Sequence, residues 1–364
     1  MDTVAHRVYI TSENLSANVL EFKYHTMKII ESFTGFQPLQ EVWIGGCYPQ
    51  EFYKELPNEI EDTFGKITEK TELGFNKLEH TLTGLGVKVR KPKFSRSVDD
   101  YKDKFGNLVK PPVAPRDWCL TLGNQMWILP QGYKKEPYQH VIDEYKLKNE
   151  HVEILDPVAD PRASLQFPSV VRIGTKLIVD VGHSHLIKDK HGASKLLQAL
   201  DMLKMDYKII LSTEGHHLDG MFCPVKKGIV LSSHYGNKDF YRMAFPNWKV
   251  VWMENLKKDN WKNEKWWTEE NNTYSPIFNK HVEQKALDWV GNSLETVFEV
   301  NMLVVDEKNV ICVAEHEESF NKLRQIGITP HVVDFPTKHF WDGGIHCLTV
   351  DIRRAGGREN YFND

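Results

Sequence analysis

Apolar residues recur along this chain in short alternating runs, and the runs follow one order five times over. Alternation of apolar and polar positions predicts a strand, often followed here by a turn and a second strand. A segment with apolar residues three or four apart comes next, as a helix facing a core requires. A short run rich in β-branched residues then closes the cycle. The closing runs are Val87–Arg90, His151–Leu155, Tyr207–Leu211, Trp248–Trp252 and His331–Phe335. The opening strands are Gln40–Ile44, Trp118–Leu122 with Met126–Leu129, Val170–Ile173 with Leu177–Val181, Met221–Pro224 with Gly228–Ser232, and Met302–Val305 with Val310–Val313. Leu196, Leu197, Ala199, Leu200 and Leu203 mark one intervening helix, and Phe320, Leu323 and Ile326 another. Gly123-Asn124, Lys226-Lys-Gly228 and Asp306-Glu-Lys-Asn309 supply turns between paired strands.

Units of roughly 40–60 residues repeating in this way predict a ring or stack of similar modules. A doubly wound sheet competes with that reading, but it needs single parallel strands alternating with helices, not hairpin pairs. Two segments interrupt the cycle. Lys91–Pro112 is rich in Lys, Asp, Ser and Pro and reads as a surface loop. An insertion at about residues 255–294 sets Trp261, Trp266, Trp267 and Trp289 among Asn, Lys and Glu, the make-up of a lid, a binding loop or an anchored surface segment. Residues 1–37 read as an N-terminal extension, either packed on the body or forming the contact of a homodimer. Residues 38–364 then make up a single domain.

Composition narrows the class. Hydrophobic residues are 41% of the chain, enough for a substantial core, and the net charge is −4 with no dense basic stripe. Electrostatic binding of nucleic acid is therefore not expected. No stretch approaches the roughly 18 consecutive apolar residues of a membrane span, and the N-terminus lacks a basic region followed by an apolar run. Five scattered cysteines without CxxC spacing argue for a reducing compartment. A cytoplasmic protein is the expectation.

Chemistry concentrates at strand starts. Cys347 follows His346 and the Gly343-Gly344 pair, directly before an apolar alternating run from Leu348 to Ile352. A thiol at that place is a candidate nucleophile or a buried small hydrophobe. Asp117 in Pro115-Arg-Asp117 precedes the second unit's strands, and His217 with Asp219 precedes the fourth unit's. In a ring of modules these positions converge at one end of a central channel. Carboxylates accept paired N–H bonds from a planar guanidinium, a thiolate attacks its central carbon, and a histidine moves protons. Read singly, Asp117 is also explained by a local side-chain turn, and His217 and Asp219 by exposure on one strand face. His183-Ser-His185 has the spacing of two metal ligands, with His191 nearby and His216 beside His217, but no matching partner pair follows, so no metal site is assigned.

Together these segments resemble the amidinotransferases of the guanidino-group-modifying superfamily, the arginine:glycine and arginine:inosamine-phosphate enzymes. The resemblance runs from about Leu39 to the C-terminus. It rests on Leu39-Gln-Glu-Val-Trp-Ile-Gly45, Gly86–Pro92, Pro115-Arg-Asp117 with the Gly123-Asn124 turn, His217-Leu-Asp219, Gly228–Ser233, Asn301–Lys308 and Gly327-Ile-Thr329. Gly343-Gly-Ile-His-Cys-Leu-Thr-Val-Asp-Ile-Arg-Arg354 is the most specific segment and is more like the transferases than the arginine deiminases. The resemblance implies a five-bladed α/β-propeller of pseudo-symmetric ββαβ units (the pentein fold). It also implies Cys347 as the residue that takes the amidino group, His217 as general acid/base, and Asp117 and Asp219 as guanidinium ligands. The implied partners are a guanidino donor such as arginine and an amine acceptor such as glycine, with no metal or organic cofactor.

The chain departs from the family at two places. Gln166 stands where the family has an acidic residue in the third unit, with Asp160 the nearest upstream acid. The fourth unit lacks the Arg that pairs with the donor's carboxylate; Lys238 is the nearby cation. A guanidine hydrolase on the same fold and a silenced guanidino-binding protein are the alternative readings.

Overall fold

The computed structural model describes residues 28–130, 135–182, 190–213, 217–233, 237–253, 267, 274–290, 298–313 and 315–362. The His183-Ser-His185 pair, His216, most of the 255–294 insertion and residues 1–27 of the N-terminal extension lie outside them.

The five predicted cycles are five three-stranded sheets with one pattern. Four are contiguous in sequence. In the second unit β3 (Cys119–Leu122) and β4 (Gln125–Ile128) form an antiparallel hairpin, a helix follows at Gln139–Leu147, and β5 (His151–Ile154) returns parallel to β4. The third repeats this with β6 (Val170–Ile173), β7 (Lys176–Asp180), helix Lys190–Lys204 and β8 (Lys208–Ser212). The fourth uses β9 (Phe222–Lys226), β10 (Ile229–Ser233), helix Lys238–Ala244 and β11 (Lys249–Met253). The fifth uses β12 (Leu303–Asp306), β13 (Asn309–Cys312), helix Glu317–Gln325 and β14 (Thr329–Val332). The first sheet differs because both ends of the described chain build it. There β1 (Leu39–Ile44) pairs in parallel with β2 (Lys88–Arg90) after the Asn58–Gly84 helix. On its other side it pairs antiparallel with β15 (Thr349–Arg354).

Local chemistry explains these elements. Gly123 and Gly174 take positive φ (60° and 65°) at the hairpin turns, a region that L side chains disfavour. In the Lys190–Lys204 helix Leu196, Ala199, Leu200 and Leu203 are buried while Leu197 faces solvent, as a 3.6-residue period dictates. The fifth closing strand begins two residues earlier than its apolar run suggests. Its ladder ends where Val332 pairs with Cys312, and Phe335 leaves the sheet to meet the Phe75 ring edge-on at 5.1 Å.

Residues 30–36 are not peripheral. Ile30, Ser32, Thr34 and Phe36 are buried, and the segment bridges Arg353, Gly123 and Ile173 of three different sheets. At the same depth Asp351 on β15 is fully buried among three arginines. Arg116 Nη2 donates to its Oδ1 at 2.8 Å, Arg354 Nε and Ser32 Oγ reach its Oδ2 at 2.8 and 2.9 Å, and Arg172 on β6 bonds the same oxygen. Asp351 thus gathers donors from three units and from Ser32, and Arg354 extends the cluster to a fourth unit by donating to the carbonyl of Val304 on β12. Among the described residues no helix is long and apolar enough to cross a membrane.

Candidate active site

Three single-turn 3-10 helices precede first strands: Pro115–Asp117 before β3, Phe167–Ser169 before β6 and Leu218–Gly220 before β9. The middle one packs against both others. They carry Asp117, Gln166 (the residue capping the second turn) and His217 with Asp219 to one end of the sheets. Cys347 reaches the same end from the turn that leads into β15. That turn is closed by Leu348 N–H to Gly344 O at 3.1 Å and Thr349 Oγ1 to Ile345 O at 2.8 Å.

Cys347 and Asp219 are in contact. The Cys347 Sγ lies 3.6 Å from Asp219 Oδ2, within reach of a thiol hydrogen bond. That oxygen also receives the His346 Nδ1 hydrogen at 2.8 Å, while Asp219 Oδ1 is buried with no hydrogen-bond partner among the described residues. Asn301, fully buried just ahead of β12, joins the group. It donates from Nδ2 to Cys347 Sγ (3.0 Å) and to the Asp219 carbonyl (3.1 Å), and its Oδ1 accepts the Cys347 backbone N–H at 3.1 Å. Arg116 donates from Nε to the His346 carbonyl at 2.7 Å, tying this turn to the buried arginine cluster. A cavity beside the group is lined by Arg116, Arg172, Asp219, Cys223, Met302 and His346.

The electrostatics follow from burial and these partners. Burial pushes the Cys347 thiol well above its ordinary pKa, and the carboxylates of Asp219 and Asp117 push it further; the Asn301 hydrogen bond opposes them. Burial favours a neutral Asp219, yet the His346 hydrogen bond, with His217 and Arg116 beyond it, holds the carboxyl below its usual range. Burial lowers the His346 imidazole, Arg116 adds to that, and Asp219 opposes it. Near neutral pH the resting cluster is therefore a thiol beside a carboxylate beside a neutral imidazole.

Of the residues singled out in the sequence, Cys347 and Asp219 touch directly, and Asp117 and His217 lie within electrostatic range of them. Asp117 Oδ2 is also 3.8 Å from Lys110 Nζ. Gln166 stands on the middle turn, and its carbonyl accepts the Ser169 N–H at 2.9 Å. Lys238 is elsewhere. It is exposed at the start of its helix, 5.9 Å from the Trp252 ring centre, and lines a surface groove with Tyr241, Arg242 and Trp252. His346 and Asn301 join the group without being among the candidate site residues of the sequence. His346 is signalled by its place beside the cysteine, whereas Asn301 lies 46 residues from Cys347, and the Asn301–Lys308 segment that opens with it points to a strand and not to the site. Among the described residues no cluster of three His, Cys, Asp or Glu is arranged to hold a metal ion.

No protein-family model matches the chain. The L-arginine:L-lysine amidinotransferase of Pseudomonas savastanoi pv. phaseolicola is 36% identical over 63 residues, a match that spans 17% of this chain and 17% of that protein. A putative inosamine-phosphate amidinotransferase 2 of Streptomyces griseus is 23% identical over 355 residues, covering 87% of this chain and 85% of its own length. Among solved structures, the inosamine-phosphate amidinotransferase StrB1 of Streptomyces griseus aligns with a TM-score of 0.65 at 18% identity, covering 92% of this chain and 99% of its own. The amidinotransferase SxtG of Microseira wollei aligns with a TM-score of 0.64 at 17% identity and the same coverage. A dimethylarginine dimethylaminohydrolase shares the fold more distantly, with a TM-score of 0.51 at 12% identity over 86% of this chain and 99% of its own. The resemblance to the amidinotransferases holds in sequence, and the fold is theirs.

Proposed function

We propose that the chain is an amidinotransferase that moves an amidino group from a guanidino donor, such as arginine, to an amine acceptor, such as glycine, through a covalent intermediate on Cys347. The five sheets would stand as the blades of a ring, with this site at the mouth of its channel. The observation that carries the reading is a buried thiol set 3.6 Å from one carboxylate and within the field of another. Two negative charges beside a nucleophilic sulfur disfavour its reactive form, so the arrangement makes chemical sense when a cation occupies the space between them. A guanidinium is such a cation, and carboxylates accept its in-plane N–H bonds. Asp219 Oδ1, buried with no partner among the described residues, is an acceptor waiting for such a donor.

In this reading the bound guanidinium offsets Asp117 and Asp219 and brings the thiol pKa down. The thiol proton passes to His217 as Sγ bonds to the amidino carbon. The adduct collapses by breaking the carbon–nitrogen bond to the donor, and His217 returns that proton to the departing amine. The acceptor amine then attacks the S-amidino-cysteine and gives His217 its proton. The carbon–sulfur bond breaks, and the proton goes back to sulfur. His346 keeps Asp219 ionised and oriented throughout. Gln166 offers hydrogen bonds without charge at the middle turn, which leaves the guanidinium facing two carboxylates.

Intact-mass spectrometry of the protein mixed with arginine and other guanidino donors tests this. A mass increase of one amidino group on the wild type, absent from Cys347→Ala and discharged by an added amine with release of the donor's amine product, is the expected result. Discharge by water alone would make the protein a hydrolase. Absence of the adduct with every donor, with unchanged ligand binding in Cys347→Ala, would overturn covalent transfer.

A further inference from the structure

We infer that Asn301 is a positioning residue for the nucleophile, an amide whose oxygen holds the Cys347 backbone and whose nitrogen donates to Sγ and so favours the thiolate. The inference rests on the proposed role of Cys347 and deepens it. The orientation of the amide is set by its partners. The Cys347 backbone N–H is a donor, so the atom facing it at 3.1 Å must be Oδ1. Nδ2 is then directed at the two remaining neighbours, Sγ at 3.0 Å and the Asp219 carbonyl at 3.1 Å. Each of its two hydrogens has one acceptor. A single side chain therefore fixes the nucleophile at two atoms and the neighbouring unit's acidic turn at a third.

The setting makes this donor consequential. The charged and titratable groups around Sγ are Asp219 and Asp117 from the adjoining turns, Asp342 from its own segment, and His346 and His217 on either side of Asp219. The three carboxylates all disfavour the thiolate, and the Asn301 amide counters them without adding a charge. Asn301 is fully buried, so water does not replace the bond. The main chain accommodates it as well. A Cβ on Gly344 would fall 2.6 Å from both Asn301 O and Oδ1, so glycine at that position makes room for the amide.

Iodoacetamide alkylation at one fixed pH below the thiol pKa tests the inference, with the Cys347 peptide quantified by mass spectrometry. In that regime the rate follows the thiolate fraction, which falls tenfold for each unit the pKa rises. A hydrogen bond to a charged group corresponds to about one to two such units. Asn301→Ala is expected to slow alkylation of Cys347 by about 10- to 100-fold. Asn301→Asp, which keeps the size and the oxygen acceptor but exchanges the donor for a carboxylate, is expected to slow it further. Loss of fold has the opposite signature, because Cys47, Cys119, Cys223 and Cys312 are buried and would all become reactive; if Asn301→Ala unfolds, the Asp variant decides. Rates at Cys347 within about threefold of the wild type, or faster, in a folded variant overturn the inference. The measurement needs neither donor nor acceptor. Slow alkylation in a protein that forms no amidino adduct would sink the transfer reading and leave this role intact, and normal alkylation with a normal adduct would do the reverse.

Discussion

A cysteine that is easily deprotonated at rest would react with whatever electrophile reached it. Cys347 is built the other way, with burial and the carboxylates of Asp219, Asp117 and Asp342 holding its proton in place. In the proposed reaction the ligand's own charge would remove the cost of forming the thiolate and tie reactivity to occupancy by a cation. Removing a carboxylate should therefore raise the resting reactivity of the sulfur while destroying the site. Asp219→Asn is expected to speed iodoacetamide alkylation of Cys347 by about tenfold at fixed pH and to abolish amidino transfer. Alkylation that slows or stays unchanged in the folded variant would contradict this account. His346 acts on the same carboxylate through a 2.8 Å hydrogen bond, so His346→Phe should weaken donor binding and leave Cys347 in place. Calorimetric titration with arginine, read beside alkylation of Cys347, checks that pair of outcomes.

At the scale of elements, the site is assembled by turns placed alike in successive units. Asp117, Gln166 and Asp219 all sit on or beside a single 3-10 turn that leads into a first strand. The first strand of the sheet that β1 centres is β15, and Cys347 stands two residues before it. Asn301 comes from the corresponding place ahead of β12, so the fifth unit contributes a neutral amide, as the third does with Gln166, where the second and fourth contribute acids and the first carries Cys347. Because these first strands are only four to six residues long, a shift in any one turn is passed on directly to the side chains it carries. Gly344→Ala tests this. Its new Cβ would collide with Asn301, and we expect a loss of about 1–3 kcal/mol in denaturant unfolding. Alkylation of Cys347 should slow as well, because the amide is displaced.

Across the whole molecule, Asp351 is the group on which the units depend. Burial by itself would raise its carboxyl, but Arg172, Arg354 and Arg116 outweigh that and hold it well below the ordinary carboxylate range. Replacing one member of a buried ionic cluster leaves the others uncompensated, so Asp351→Asn should destabilise the protein by about 3–5 kcal/mol in denaturant unfolding. The pH dependence has a fixed sign. A carboxyl whose folded pKa is depressed contributes stability above its unfolded pKa of about 3.9, and that contribution is lost as pH falls through the lower folded value. Melting temperatures of the wild type should therefore drop in acid more steeply than those of a folded Asp351→Asn protein. Equal slopes would rule out this role for Asp351. Residues 30–36 belong to the same scale, since their bridges to three sheets make the arm part of the core.

Much of this was legible in the linear sequence because it depends on local rules. Strand alternation, helix spacing and glycine turns are set by backbone geometry over a few residues, so the five cycles and their order could be read directly, but not that β15 from the far end of the chain completes the first sheet. The Gly-Gly-Ile-His-Cys run likewise marked Cys347 as the candidate nucleophile by its own composition. What the sequence left open depends on contacts between distant segments. That Asp219 would share its Oδ2 between His346 and Cys347 follows from the packing of the fourth unit's turn on the β15 turn, 127 residues away. That Asn301 would grip Cys347, that Lys238 would face solvent, and that Asp351 would gather three arginines are of the same kind. A pattern along the chain states which residues are buried and on which face. Which buried polar groups meet is decided by the need to pair each of them once water is gone, and only the folded arrangement of the sheets supplies the partners.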